Sequence, residues 1–273
     1  MKNNNKFRLD VWGAITLGTI ALYALFLLYP MAYLIRQSVL DPDTGGFTLA
    51  YFTKFFSKSY YFDTLINSFK VSITATVLSI AIGTPLAYLF TIFKIKGKSV
   101  LNILIVVASM SAPFIGAYSW ILLLGRSGVI TAFFKNLGIA IPDIYGFGGI
   151  VLVMTLQLFP LVFLYAKGAL KNIDNSLIEA AENLGCSGIA CFFKVVVPLI
   201  MPTLLAAALL VFMRSFADFG TPMLIGEGYR TFPVVLYTEF INEVGGSDGF
   251  AAAIAVIAIV LTTLGFLVQK DVS

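Results

Sequence analysis

Six long stretches of this chain carry no charged residue: Val11 to Ile35, Val71 to Phe93, Ser99 to Gly125, Ile144 to Ala166, Val195 to Met213 and Gly249 to Val268. Each reaches or passes the roughly 18 to 20 residues at which a helix crosses the hydrocarbon core of a bilayer. Lipid offers no hydrogen bonds to an open backbone, and a helix satisfies its own amides locally. An all-α membrane protein with six transmembrane helices is therefore expected. Composition points the same way, because 12% of the residues are charged, about half the share of an ordinary soluble domain.

The first stretch opens like a secretion signal, with "MKNNNKFRLD" before "TIALYALFLL". Its apolar part is too long and no small-residue cleavage site follows, so it reads as a retained helix. Lys and Arg near the ends of the stretches set the orientation. Lys2, Lys6 and Arg8 precede the first, Lys94, Lys96 and Lys98 crowd the turn after the second, and Lys167, Lys171 and Lys194 flank the turn between the fourth and fifth. These turns are expected on the cytoplasmic side of a bacterial-type inner membrane, with both termini cytoplasmic. Arg36, Lys54, Lys58 and Lys70, then Arg126 and Lys135, then Arg214 and Arg230 are spread over longer segments on the other side. The net charge of +4 then needs no nucleic acid to explain it. Cys186 and Cys191 fall in a cytoplasmic turn, where thiols stay reduced, and without any histidine they fall short of a zinc site.

The loops have character of their own. "FTLAYFTKFFSKSYYFDTLINS" is rich in aromatic anchors for an outer interface, "VITAFFKNLGIAI" predicts an interfacial helix, and "DFGTPMLIGEGYRTFP" predicts turns or a short re-entrant piece before a helix near "VVLYTEFINEV". Pro30, Pro85, Pro113 and Pro160 predict kinks or local unwinding inside the spans. Ala251, Ala255, Ala258, Thr262 and Gly265 form a seam of small side chains suited to close helix packing.

Catalysis has little support. "GKS" at Gly97 to Ser99 lacks the glycine that a phosphate loop needs five positions earlier, where Ile92 stands, and a membrane helix stands where that loop needs a strand. No cysteine sits beside a base, and the uncharged stretches hold no proton-relay groups. A self-contained secondary transporter or channel would need such groups, and it stays as the alternative from a different class.

Between the fourth and fifth stretches lies "SLIEAAENLGCSG". Ser176 and Glu179 make a capping-box pattern, and strong helix formers follow until Gly185, which suits a left-handed stop. Leu177, Ile178, Ala181 and Leu184 can share an apolar side, with Glu179, Glu182 and Asn183 away from it. By itself this is a short amphipathic helix lying across the end of the bundle, either a structured loop or a docking element.

"EAAENLGCSGIACFFKVVVPLIMP" resembles the EAA motif of the membrane subunits of ATP-binding-cassette importers, here Glu179, Ala180, Ala181, Gly185, Val195, Val197 and Pro198, with valine where the family has isoleucine and leucine. "FPLVFLYAKGALKNIDNSL", "SAPFIGAYSWILLLGRSGVI" and "SFADFGTP" are similar to permeases of the iron(III), 2-aminoethylphosphonate and polyamine group, although Asn175 stands where that group often has proline. The resemblance implies a type I importer fold, methionine-permease-like, with a core of five helices over residues 70–273 and a coupling loop at about 167–198. Residues 1–69 would add one N-terminal transmembrane helix and an outer interfacial loop. It implies that Ser176, Glu179, Ala180, Ala181, Glu182, Gly185 and Pro198 couple the chain to a separate ATPase dimer. ATP and Mg would sit on that partner and no cofactor on this chain, which is not itself the enzyme. A second permease half, identical or related, and an extracytoplasmic solute-binding protein complete the expected assembly. The chain would be a separate subunit or one half of a longer two-module permease. Iron(III) is the expected cargo, with 2-aminoethylphosphonate or polyamines as alternatives. Arg214 and Asp218, four apart at the outer end of the fifth span, are expected to pair or to line the mouth of the translocation path. Ser119 and Gln157 are expected to face that path or to bond helix to helix.

Overall fold

A computed structural model describes residues 11–41, 44–93, 95–110, 112–139, 141–186, 188–241 and 248–272. Lys2, Lys6, Arg8 and Lys94, used above for orientation, lie outside the described residues. The described chain runs through α1 (Val11–Tyr23), α2 (Tyr29–Ser38), α3 (Ala50–Ser57), α4 (Ser59–Ile92), α5 (Lys98–Ser109), α6 (Pro113–Leu124) and α7 (Val129–Asn136). It continues through α8 (Phe147–Lys171), α9 (Asn175–Asn183), α10 (Gly188–Cys191), α11 (Val197–Ala217), α12 (Gly220–Ile225), α13 (Phe232–Ile241) and α14 (Asp248–Val272). Among the described residues the only extended pairing is one bridge between Leu40 and Phe47. Six stretches are long and apolar enough to cross a membrane: Val11–Ser38, Ser59–Ile92, Phe114–Asn136, Phe147–Lys171, Gly188–Ala217 and Asp248–Leu267.

The third span breaks where a kink or local unwinding was expected: α5 stops at Ser109 and α6 starts at Pro113. Pro113 has no amide to donate and pushes Ala112 out of helical backbone, and Ala112 has ψ of 141°. The long apolar stretch instead runs through a turn at Gly125–Gly128 and takes in α7, the piece expected as an interfacial helix. The aromatic outer loop is also more regular than expected. It folds into α3 and the first turns of α4, so that α4 carries Asp63 and Lys70.

Two five-residue π turns interrupt the spans, Ala24–Leu28 before α2 and Phe192–Val196 before α11. Each ends two residues before a proline, Pro30 or Pro198. A proline ring clashes with the carbonyl four residues back and offers it no hydrogen bond. Widening the turn lets the neighbouring amides reach one carbonyl further, Tyr29 to Ala24 and Val197 to Phe192. The unwinding expected at Pro30 takes this form, whereas α4 and α8 stay helical through Pro85 and Pro160.

The chain divides into two compact units, residues 1–58 with 238–260 and residues 59–237 with 261–273. In the first, Phe55 and Phe250 are buried, Lys54 places its ammonium 4.1 Å from the Phe250 ring centroid, and the Tyr51 ring lies against Gly249. The second is built on α4, α8 and α11. On α4 the small residues Ser68, Ser72, Ala75, Ser79, Gly83 and Ala87 are all buried, and this stripe lets α8 approach closely. One buried cluster collects Phe90, Phe163, Phe192, Val196 and Ile200, and a second collects Val71, Ile150, Met154 and Ile225. Seated on the first cluster is Ile178 of α9.

Candidate functional site

The α9 turn is held at both ends by short-range chemistry. Its first cap is Asp174 rather than Ser176, and this corrects the expected capping box. The Asp174 carboxylate accepts the Ser176 amide at 3.0 Å and its carbonyl accepts the Leu177 amide at 3.1 Å. Helix begins at Asn175, two residues before the start that a Ser176 cap would set, because Asp174 already satisfies the free amides. Hydrogen bonds from Ser176, chiefly that of its amide, hold the Asp174 carboxyl below the usual aspartate range. A depressed carboxyl contributes stability above its unfolded pKa and loses it as the pH falls through the folded value. Circular dichroism of the detergent-solubilised protein should thus show helix loss in acid that Asp174→Asn reduces.

At the other end Gly185 has φ of 86° and the Cys186 amide reaches back to the Ala181 carbonyl at 3.0 Å, the left-handed stop that the sequence predicts. Glu179 and Ala180 are exposed and Ala181 is half-buried, while the side chain of Glu182 lies outside the described residues. The expected single apolar side is split. Ile178 turns onto the bundle, but Leu184 is 89% exposed, because the helix ends at Asn183 and the glycine turn directs the next residue outward. Ile189 and Phe193 are exposed as well, and Pro198 follows on the exposed side of α11. An acidic helix with an apolar tip therefore projects between two tightly turned ends. Lys167 of α8 donates to the Asn102 side chain of α5.

A cavity of about 700 Å³ opens where α8 and α11 meet the segments on either side of Ala112. Its wall includes Gln157, Arg214 and Asp218, so three of the four residues expected on the path come together. Ser119 does not join them. It is exposed on α6 and donates to the Ile115 carbonyl one turn back, at 2.8 Å.

Arg214 and Asp218 form no ion pair. The helix ends at Ala217, which removes the one-face spacing on which that expectation rested. Asp218 instead caps α12. Its Oδ1 accepts the Gly220 amide at 2.9 Å and the Thr221 amide at 3.4 Å, and its Oδ2 accepts the Thr221 hydroxyl at 2.6 Å. Burial raises the Asp218 carboxyl above its ordinary range, and these three bonds oppose that rise.

Two further clusters were not legible. Arg126 bridges Asp143, Nε to Oδ2 at 3.1 Å, and Glu227, Nη2 to Oε1 at 2.9 Å, with its guanidinium 4.7 Å from the Tyr145 ring centroid. Ser68 accepts the Phe232 amide at 2.8 Å, Asn67 donates to the Arg230 carbonyl, and Arg230 donates to the Tyr60 hydroxyl, tying the segment after α12 to α4. The partners stand 17 to 170 residues apart, and no local pattern announces them.

Comparison with known proteins gives this arrangement a family. The chain is similar to a putative ferric transport system permease protein, FbpB 1, of Haemophilus influenzae, 28% identical over 80% of this chain and 34% of that protein. A ferric transport system permease of Actinobacillus pleuropneumoniae is 27% identical over 98% of this chain and 38% of its own length. The chain thus spans about a third of the length of these ferric relatives. It is also 28% identical to the spermidine/putrescine permease PotB of Haemophilus influenzae, over 92% of this chain and 89% of that one. Among solved structures, a chain of the bacterial alginate ABC transporter in complex with an alginate pentasaccharide-bound periplasmic protein superposes with a TM-score of 0.72 at 15% identity, covering 96% of this chain and 93% of that one. A chain of the inward-facing MetNI methionine ABC transporter gives 0.56 at 14% identity, over 79% of this chain and 99% of that one. The five-helix core with one added helix is the fold of these ABC importer chains. A family profile matches residues 46–272, and the protein belongs to the binding-protein-dependent transport system inner membrane component family.

Proposed function

We propose that this chain is the permease subunit of an ATP-binding-cassette importer for iron(III), driven by a separate ATPase dimer that grips α9. Residues 167–198 are the coupling loop, with Ser176, Glu179, Ala180, Ala181, Glu182, Gly185 and Pro198 as its coupling residues, and the cavity at Gln157, Arg214 and Asp218 lies on the translocation path. A second permease half completes that path, an extracytoplasmic binding protein loads it, and ATP with Mg stays on the ATPase. Both termini are cytoplasmic by the placement of Lys and Arg.

The observation that carries this reading is the exposed acidic helix with fixed ends. A helix that served only to close a loop would turn its large apolar side chains inward. Here Leu184 points away from the bundle while Glu179 stays free for charge-assisted bonds to a basic partner surface. The ferric relatives support iron(III) as the cargo, and the polyamine relative, matched along most of its length, makes spermidine the cargo to exclude.

Glu179→Lys should lower binding-protein-stimulated ATP hydrolysis and uptake about tenfold or more, with normal insertion, since it replaces an attraction by a repulsion. Gly185→Val should do the same by straining a left-handed position at about 1–2 kcal/mol. Reconstitution of the complex in proteoliposomes measures both quantities. Full stimulation and full uptake in both variants would refute the coupling role of α9.

A further inference from the structure

The hydrogen-bond balance of the cavity differs sharply between donors and acceptors. Arg214 is exposed on its wall and its guanidinium makes no hydrogen bond or ion pair with any described residue. Gln157 has a buried amide nitrogen without a partner. Asp218, the one carboxylate in the lining, has both oxygens engaged by Gly220 and Thr221. Burial further disfavours its charged form. Five guanidinium N–H groups are thus open to the cavity, with an unpartnered amide N–H buried in its wall, while the acidic acceptor is taken.

The rest of the wall strengthens that imbalance. Met110, Phe114, Leu158, Leu161 and Phe219 give it apolar sides, with Phe114 and Phe219 packed edge to face at 5.5 Å. Low-dielectric walls concentrate the field of a single fixed charge. A cation entering here meets an unpaired guanidinium, and the Asp218 oxygens are already engaged. An oxygen-rich anion meets a planar fork that binds two oxygens at once.

We propose that this cavity passes an anionic solute, with the Arg214 guanidinium as its donor and Gln157 in the wall beside the path. The assignment rests on the permease reading above and narrows its cargo. Iron(III) crosses as a complex of net negative charge rather than as the bare ion, and a polyamine is rejected. An oxyanion, a phosphonate and a negatively charged ferric chelate share the chemistry the site selects.

The test uses the complete importer in proteoliposomes, with ATP and its binding protein, offered ferric citrate, molybdate, 2-aminoethylphosphonate and spermidine in turn. At least one of the three anions should accumulate and spermidine should not. For the accumulated anion, Arg214→Gln should lower uptake about tenfold or more and Arg214→Lys should retain part of it, because lysine keeps the charge and loses the fork. Gln157→Glu, which places a like charge in the wall, should lower uptake as well, so the outcome does not hang on one variant's folding. Accumulation of spermidine alone, accumulation of none of the four, or undiminished anion uptake by Arg214→Gln and Gln157→Glu overturns the assignment. Absence of a co-purifying ATPase would instead overturn the permease reading itself.

Discussion

Gly83→Leu should leave almost no folded protein in the membrane. A Cβ at this position would lie 2.8 Å from the Phe159 carbonyl oxygen, 2.8 Å from Val162 Cβ and 3.0 Å from the Phe163 amide nitrogen. All three belong to α8, and two are backbone atoms that no rotamer change can move aside. The only relief is to push α4 and α8 apart, which opens the buried cluster around Phe90 and Phe163, whose rings meet edge to face at 5.2 Å. Overpacking costs about 1–3 kcal/mol and occasionally more, and a leucine between backbones belongs at the upper end. Bilayer helices have no hydrophobic drive toward one another, so close contact supplies most of their association. Yield and thermal midpoint of the detergent-solubilised protein should fall in the order Gly83, Gly83→Ala, Gly83→Leu. An unchanged midpoint for the leucine variant would show that the two helices are not packed this tightly.

Asp218→Ala should loosen the Ala217 end of α11 and the segment behind it. The substitution strands the Gly220 and Thr221 amides and the Thr221 hydroxyl, and both residues are buried. A stranded buried donor costs about 1–3 kcal/mol, so a loss of roughly 2–4 kcal/mol is expected after partial rearrangement. Limited proteolysis should report faster cutting near residues 218–230. Asp218→Asn, which keeps one acceptor oxygen, should recover part of the stability. If Asp218→Asn restores both proteolytic resistance and uptake, the residue acts by holding the wall of the cavity. If it restores resistance alone, the charge itself takes part in transport.

What the sequence made legible follows the range of the forces involved. Span number, the left-handed stop at Gly185 and the short structured piece after Ala217 depend on composition or on neighbours within a turn, and those were predicted. The break at Ala112 belongs with these, since Pro113 predicts it. The cap at Asp174 also depends on neighbours, but there two local rules competed: Ser176 and Asp174 could each cap, and the earlier one does. The Arg126 cluster and the freedom of Arg214 arise from elements far apart in the chain. Asp218 illustrates the difference most directly, since a spacing of four suggested a partner in Arg214 and one residue's difference in where the helix stops gave it to Thr221 instead.

The wide turn at Phe192–Val196 has a consequence for how the fifth span meets its neighbours. Phe192, Val196, Ile200 and Leu204 are all buried, a recurrence of every fourth residue. On a regular helix of 3.6 residues per turn, such a series creeps round the cylinder by about 40° at each step and leaves its contact within a few steps. A stretch that fits more residues into each revolution creeps the opposite way, and over the step from Phe192 to Val196 it offsets part of the drift. Phe192 thereby keeps its ring centroid 4.6 Å from that of Tyr88 while Leu204, three steps further on, still faces inward. Pro198, by widening the backbone just before it, acts as a phase corrector that helps one seam run the length of a mismatched spacing.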